Sequence, residues 1–326
     1  MTSRRTRLLP ALLALPLVLG ACAGAPEPDR GPAADGYPVK ASSCGYTSTI
    51  SAPPERAVTM NQGATEVLLA LGLQDRMAGT AYLDDAVPAK WRGAYDGVKV
   101  LSKEYPDNET LLEAEPDFVY GSYSSAFDAD AAGPRPELEK LGIGSFLSLF
   151  GCGENRPSAE VSFDAVWDEI ATVADVFGVP ERAEALQERQ EEALEGFEES
   201  APGKGLDVFW FDSGDKTAFA GAGEGGPQLI LDAVGARNLF AGLDGGWADV
   251  SWEKVVAADP DVIVLADASW STAEDKIAML EKDPVLKGLR AVRAKAYVVL
   301  PFSETTPGVR LADGAVAVGE QLAGLS

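Results

Sequence analysis

A chain of 326 residues with 46% hydrophobic content is long enough to bury two ordinary cores. Its 51 acidic against 27 basic residues give a formal net charge of −24, which argues against the basic footprint that a nucleic-acid partner requires. Histidine is absent altogether, which removes Ser-His-Asp and Cys-His catalysis and every His-based zinc site.

The chain opens "MTSRRTRLLPALLALPLVLGAC". Arg4, Arg5 and Arg7 form a basic head, and Leu8 to Ala21 form an apolar segment interrupted by Pro10 and Pro16. That segment falls short of the roughly 20 apolar residues a membrane span needs, and it reads as an export signal over residues 1–21. It ends Leu19-Gly20-Ala21-Cys22, which resembles the bacterial lipobox, where the cysteine is lipidated and becomes the new N-terminus. Cleavage there would leave 24 basic against 51 acidic residues. Residues 22–43, with "GAPEPDRGPAADG", are rich in Pro, Gly and Asp and predict a flexible tether. With Cys22 lipidated, Cys44 and Cys152 remain as an even pair in an oxidising compartment, where a disulfide is expected.

From Pro53 short apolar runs alternate with helical stretches. Strands are predicted at 56–60, 76–80, 118–121 and 144–150, with helices at 63–73, 109–115 and 135–141 between them. This rhythm predicts a mainly parallel sheet covered by helices. About forty residues without a good strand follow. Residues 163–178 carry Val166, Ile170, Val173 and Phe177 at helical spacing, and 181–200 is packed with strong helix formers up to Pro202-Gly203. Charge on more than one face predicts a largely exposed helix suited to join two lobes rigidly. A second alternating half has predicted strands at 206–211, 261–266 and 296–300 and helices near 226–234, 252–258 and 272–281. The expected domains are residues 44–178, an inter-lobe helix at 179–203, and residues 204–326.

Two segments repeat. "ETLLEAEPDFVY" from Glu109 and "EKVVAADPDVIV" from Glu253 share a leading glutamate, an apolar pair, an alanine, and an acid before Pro-Asp and an apolar run. "LALGLQDRMAG" and "LDAVGARNLFAG" each place a second glycine seven residues after the first, Gly72 and Gly79, then Gly235 and Gly242. Two repeats in the same order imply two related α/β lobes. Each glutamate falls in a first helical turn, after Asp107 or Ser251 as N-cap. Either one alone reads as an acid complementing a helix dipole. Together they stand one per lobe, on the face where parallel sheets bind ligands.

Lipobox, acidic tether, two α/β lobes joined by a helical stretch, and the paired "E…PD" segments resemble the substrate-binding lipoproteins of ABC importers. The subclass is the one that binds ferric siderophores, vitamin B12 and haem, and the resemblance runs from about Cys44 to the end, including "RAVTMNQGATEVLLALGLQDRMAGTAY" (56–82). It implies two Rossmann-like lobes with mainly parallel sheets, a long rigid helix between them and a ligand cleft between the lobes. It implies a monomer held to the membrane by a lipid anchor, partnered by an ABC permease, with no cofactor or resident metal. It also implies that Glu109 and Glu253 dock into arginine pockets of that permease.

Strand-end loops offer Asn61, Gln62, Tyr82, Tyr120 to Tyr123 and Phe150 in the first lobe, and Trp210, Asp212, Asp267, Trp270 and Phe302 in the second. Aromatic rings at such positions grip large planar or greasy ligands, and each ring equally suits core packing. Few Arg or Lys and several Asp stand beside these strand ends. A ferric catecholate, being anionic, would want basic partners. A neutral or cationic ligand, such as a ferric trihydroxamate, is the expectation. Cobalamin is the alternative, with haem behind it because His is absent although Tyr can ligate iron. An exported enzyme is the reading from another class, but no G-x-S-x-G motif is present and "FDSGD" (211–215) only approaches one.

Overall fold

A computed structural model describes residues 35–153 and 158–325, so the expected export signal, Cys22 and most of the tether lie outside the described residues. The expected tether ends earlier than residue 43. Val39–Ser43 forms strand β1, paired antiparallel with β2 (Tyr46–Ile50). Cys44 and Gly45 make the two-residue turn with φ of 50° and 71°, the backbone hand that matches hairpin twist. Ala41, Ser43, Ser48 and Ile50 alternate inward. These small and hydroxyl-bearing residues form a strand because the sheet beneath supplies the packing, which composition alone does not register.

The first lobe continues through β3 (Ala57–Met60), α1 (Gln62–Ala70), β4 (Met77–Ala81), α2 (Ala89–Tyr95) and β5 (Val100–Ser102). It then runs through α3 (Asn108–Glu113), β6 (Phe118–Gly121), α4 (Arg135–Lys140) and β7 (Gly144–Leu147). Strand order is β5-β4-β3-β6-β7 and every pairing is parallel. The chain winds outward from β3, then returns to β6, so the switch point lies between β3 and β6. Beyond the carboxyl ends of strands at such a point a crevice opens.

Helix α5 (Phe163–Phe177) starts at Ser162, whose hydroxyl accepts from the Ala165 amide at 3.0 Å, and ends at Gly178 in the left-handed region. It lies on the β1 side of the first lobe. Helix α6 (Pro180–Ser200) follows, and its Ala183, Leu186, Gln190 and Leu194 form one buried stripe while most other positions stay exposed. That stripe faces α5 and the helices of the second lobe. One apolar core therefore runs from the first sheet through α5 and α6 into the second.

The second lobe comprises β8 (Asp207–Ser213), β9 (Ala218–Gly221), α7 (Gly226–Ala233), β10 (Arg237–Asn238), β11 (Trp247–Val250), α8 (Trp252–Ala258) and β12 (Val262–Asp267). Then come α9 (Ala273–Lys282), α10 (Arg290–Ala294), β13 (Tyr297–Pro301) and α11 (Leu311–Leu325). Strands β10, β8, β12 and β13 are parallel, whereas on the other edge β9 pairs antiparallel with β8 and β11 pairs antiparallel with β9. One side of β8 is thus shared, with β10 pairing its first residues and β9 its last.

The repeated segments occupy equivalent places. Glu115 and Asp259, the acids before Pro-Asp, both end their helices with φ of 46°. The Asp117 carboxylate accepts from the amides of Glu55 and Arg56 at 2.7 and 3.0 Å, pinning the entry to β3. The Asp261 carboxylate accepts from the Asp207 amide at 3.0 Å, pinning the start of β8. In each lobe the Pro-Asp aspartate therefore fixes the central strand. Gly72 and Gly235, at φ of 65° and 73°, close α1 and α7 ahead of β4 and β10.

Cys44 and Cys152 are bonded, with Cα atoms 5.2 Å apart across 108 positions of sequence. The bond ties the β1–β2 turn to the loop that follows β7. Closing a loop of that length is worth up to about 4–5 kcal/mol by chain-entropy arithmetic, less any native strain. Replacing both cysteines by serine should therefore lower the urea midpoint clearly and steepen the slope, because the freed unfolded chain exposes more surface. An unchanged midpoint would show that the bond constrains nothing.

Candidate functional site

The crevice predicted by the winding of the first sheet is occupied on its far side by the second lobe. A cavity of about 280 Å³ lies between them. From the first lobe it is lined by Gln62 and Glu66 of α1, Asp84 beyond β4, Tyr120, Ser122 and Tyr123 at the end of β6, Phe150 beyond β7, and Glu169 of α5. The second lobe contributes Trp247 of β11 and the loop from Phe302 to Arg310 after β13. A wider cavity of about 800 Å³ adjoins it, sharing Phe150, Trp247 and Pro307. Most of these residues follow the carboxyl end of a strand, which is why the site forms here.

Backbone close to the cleft is held in unusual conformations. Asn61 (φ 74°) and Tyr82 (φ 56°) end the adjacent strands β3 and β4 in the left-handed region, which costs energy for any residue but glycine. Asn61 is fixed by its amide donating to the Ala81 carbonyl at 3.0 Å and by the Tyr105 hydroxyl donating to its Oδ1 at 3.0 Å. Gly151 allows the Phe150 loop to pass close to β6. A Cβ there would fall 1.9 Å from the Ser122 carbonyl oxygen, so no other residue fits.

Of the residues expected at the site, Gln62, Tyr123, Phe150 and Phe302 line the cavity. Asn61, Tyr82 and Trp270 are not part of this lining: Asn61 is buried, whereas Tyr82 and Trp270 are exposed. Tyr82 packs edge-on to Tyr105 at 4.7 Å, and Trp270 packs edge-on to Phe302 at 5.1 Å. Trp210 and Asp212 are corrections. Trp210 is fully buried in β8, a central strand covered on both faces, where every side chain enters a core. Asp212 is buried too, accepting from the Ser213 hydroxyl at 2.9 Å and facing Lys276. Strand β8 ends at Ser213, two residues beyond the expected 211, so Trp210 and Asp212 lie within the strand and not in the loop after it.

The sequence reading missed the polar floor. Arg310, 3% exposed, donates to Glu304 and to the Ser303 hydroxyl, and its Nη1 lies 3.3 Å from Glu66 and 3.6 Å from Asp85. Asp85 also accepts from the Ser303 amide at 3.1 Å and hydroxyl at 2.8 Å. Glu66 and Asp85 belong to the first lobe and the other three to the second, so this network crosses between them. Glu169 is fully engaged, accepting from the Tyr120 hydroxyl at 2.7 Å, the Ser148 hydroxyl at 2.9 Å and the Leu149 amide at 2.7 Å. Only distance along the chain hid these residues, since Glu66 and Arg310 are 244 positions apart.

Electrostatically the cleft is carboxylate-rich. Burial pushes Glu66 up to about 7 against the opposing pull of Arg310 and Gln62, with Asp85 adding repulsion. Burial, with Asp85 beside it, pushes Asp84 up to about 6. Burial likewise raises Glu169 despite its three donors. One guanidinium, that of Arg310, stands among several carboxyl groups in the described lining.

Glu109 and Glu253 lie outside this cleft. Each is exposed and second in its helix, α3 or α8. Asp107 caps α3, accepting from the Thr110 amide at 2.8 Å. Ser251 makes no such cap; its hydroxyl instead meets the Glu253 carboxylate, which its own backbone amide and that hydroxyl hold below the usual range. Neither glutamate is ion-paired with a described residue.

Two α/β lobes around a lined cleft, spanned by one helix, define a solute-binding architecture. The chain belongs to the periplasmic binding protein family, which it matches over residues 58–304. It is, more particularly, a substrate-binding protein of the ABC-importer class. An uncharacterized ABC transporter substrate-binding lipoprotein of Bacillus subtilis is 26% identical, over 84% of this chain and 82% of its own. A vitamin B12-binding protein of Vibrio parahaemolyticus is 21% identical, over 72% of this chain and 80% of its own. The crystal structure of an ABC-type Fe3+-hydroxamate transport system protein from Saccharomonospora viridis superposes with a TM-score of 0.72. It is 23% identical and covers 87% of this chain and 99% of its own.

The raised Glu66 carboxyl fixes the sign of a pH effect. The folded state holds a proton that the unfolded chain has released, so this stabilisation is present below about pH 4.5 and lost as pH rises through about 7. Between pH 6 and 8 the loss should be about 1 kcal/mol, or some 2–4 °C in melting temperature. Glu66→Gln should shrink that difference. An equal drop in the variant would place the titration elsewhere.

Proposed function

We propose that this protein captures a ferric hydroxamate-type siderophore outside the cytoplasmic membrane and delivers it to an ABC permease. The observation that carries this reading is the charge of the cleft. Its lining holds Glu66, Asp84 and Glu169 against Arg310, which is already surrounded by carboxylates. A ferric trihydroxamate is neutral, since three hydroxamates balance the metal. A ferric catecholate, or the carboxylates of haem, would meet like charge in a partly dry site.

The aromatic set supports a bulky chelate. Tyr123, Phe150, Trp247 and Phe302 offer rings from both lobes around the cavity, and rings bury much area at little entropic cost. The name of the Saccharomonospora protein agrees with this chemistry. The Vibrio relative favours the other reading, a corrinoid, and the adjoining cavity of about 800 Å³ gives that reading room. No chemical step is required of the cleft, so binding without turnover is the expected activity.

Delivery rests on Glu109 and Glu253. Each is an exposed carboxylate at a helix start, one per lobe, and free to take an arginine from a membrane partner. Lipid on Cys22 would hold the protein at the outer face of that membrane, with the segment before residue 35 as its leash, and a single copy would suffice.

Titrating the purified protein with a ferric trihydroxamate, a ferric catecholate and cobalamin, followed by tryptophan fluorescence, should rank the hydroxamate first. A catecholate preference would overturn the charge argument, and a cobalamin preference would select the corrinoid reading. The double variant Glu109→Ala/Glu253→Ala should keep its ligand affinity and lose uptake in cells. Normal uptake would defeat the docking role, and lost affinity would place these glutamates in binding.

A further inference from the structure

The carboxylates around the cleft differ in what they touch. Glu66 is met by Gln62 and Arg310, Glu169 by three donors, Asp85 by Ser303 and Arg310, and Glu304 by Arg310. These groups are satisfied within the protein. Asp84 is not. It lines the cavity, is half-buried, and makes no hydrogen bond or ion pair with any described residue. A carboxylate withdrawn from water without a donor is costly, and that cost is recovered only when something supplies one.

The surroundings of Asp84 suit a cation. Tyr123 lines the same cavity, and burial, with the Asp84 charge after it, raises the Tyr123 phenol. Tyr82 completes the group by packing edge-on against Tyr105. Aromatic faces beside a carboxylate offer an ammonium group both a π surface and a hydrogen-bonding anion. Among the described residues, the only basic side chain in the cavity lining is Arg310, already held by three carboxylates, so it does not compete for Asp84.

We infer that Asp84 and Tyr123 form a subsite for an alkylammonium arm of the bound chelate, so that the preferred ligand carries a positive charge. This rests on the siderophore reading above and narrows it from neutral or cationic chelates to those with a free amine. The subsite sits on the first lobe, at the switch-point side of the cleft. A chelate whose iron centre packs among Phe150, Trp247 and Phe302 would direct its arm toward this wall.

The test compares three ferric complexes of one linear trihydroxamate: with its terminal amine free, acetylated, or succinylated to a carboxylate. Affinities are read by tryptophan quenching at neutral pH. The free amine should bind about tenfold more tightly than the acetylated form, with the succinylated form weakest. Asp84→Asn should bring the ratio between amine and acetyl forms close to one, and Asp84→Glu should preserve the discrimination. A melting curve on each variant separates lost folding from lost selectivity. Equal affinities for all three complexes in the unaltered protein, or an unchanged ratio in Asp84→Asn, would overturn the subsite while leaving the siderophore reading intact. Failure of all three complexes to bind would overturn the siderophore reading and the subsite with it.

Discussion

A single buried guanidinium organises the junction between the lobes. Arg310 comes from the loop before α11, and its carboxylate partners come from α1, the segment after β4, and its own loop. Burying that charge without partners would cost several kcal/mol, so lobe contact and charge pairing are one event. The same network sets the cleft's character. Arg310 is paired internally, and Asp84, without a partner among the described residues, faces the cavity.

That junction is supported from behind by helix α6. The Trp167 indole donates to the Gln190 side chain at 2.8 Å, and Gln190 donates to the Val309 carbonyl at 2.7 Å. A chain of contacts therefore runs from α5 through α6 to the residue next to Arg310. With one apolar core continuous across both lobes, large independent lobe motions would expose buried surface.

Each lobe also carries its own internal clamp. Asp117 and Asp261 secure the entries to β3 and β8, the central strands from which both sheets are wound. The glutamates eight positions earlier stand at the opposite ends of the same helix–strand units. The repeated segment thus has two functions within one stretch. Its Pro-Asp end is structural in both lobes, and its leading glutamate is left exposed.

Much of this was legible in the sequence because it depends on local pattern. Apolar periodicity placed the main strands and the helices α1, α3 to α9, and the repeat announced two lobes. Cysteine counting paired Cys44 with Cys152, as the structure bears out. The hairpin β1–β2, the antiparallel strands β9 and β11, and the last helix were not read. Their short or small-residue patterns acquire meaning only against a neighbouring surface, although Leu311, Ala315, Val318 and Leu322 do mark a buried stripe on α11. Which strand-end aromatics face the cleft was beyond local pattern, because a central strand buried on both faces has no solvent side, and Trp210 went inward. The Arg310 network and the unpaired Asp84 were decided by tertiary structure alone. Charge pairing depends on distances that a sequence does not contain, so an acid satisfied within the fold and one left unpaired read identically until the chain is folded.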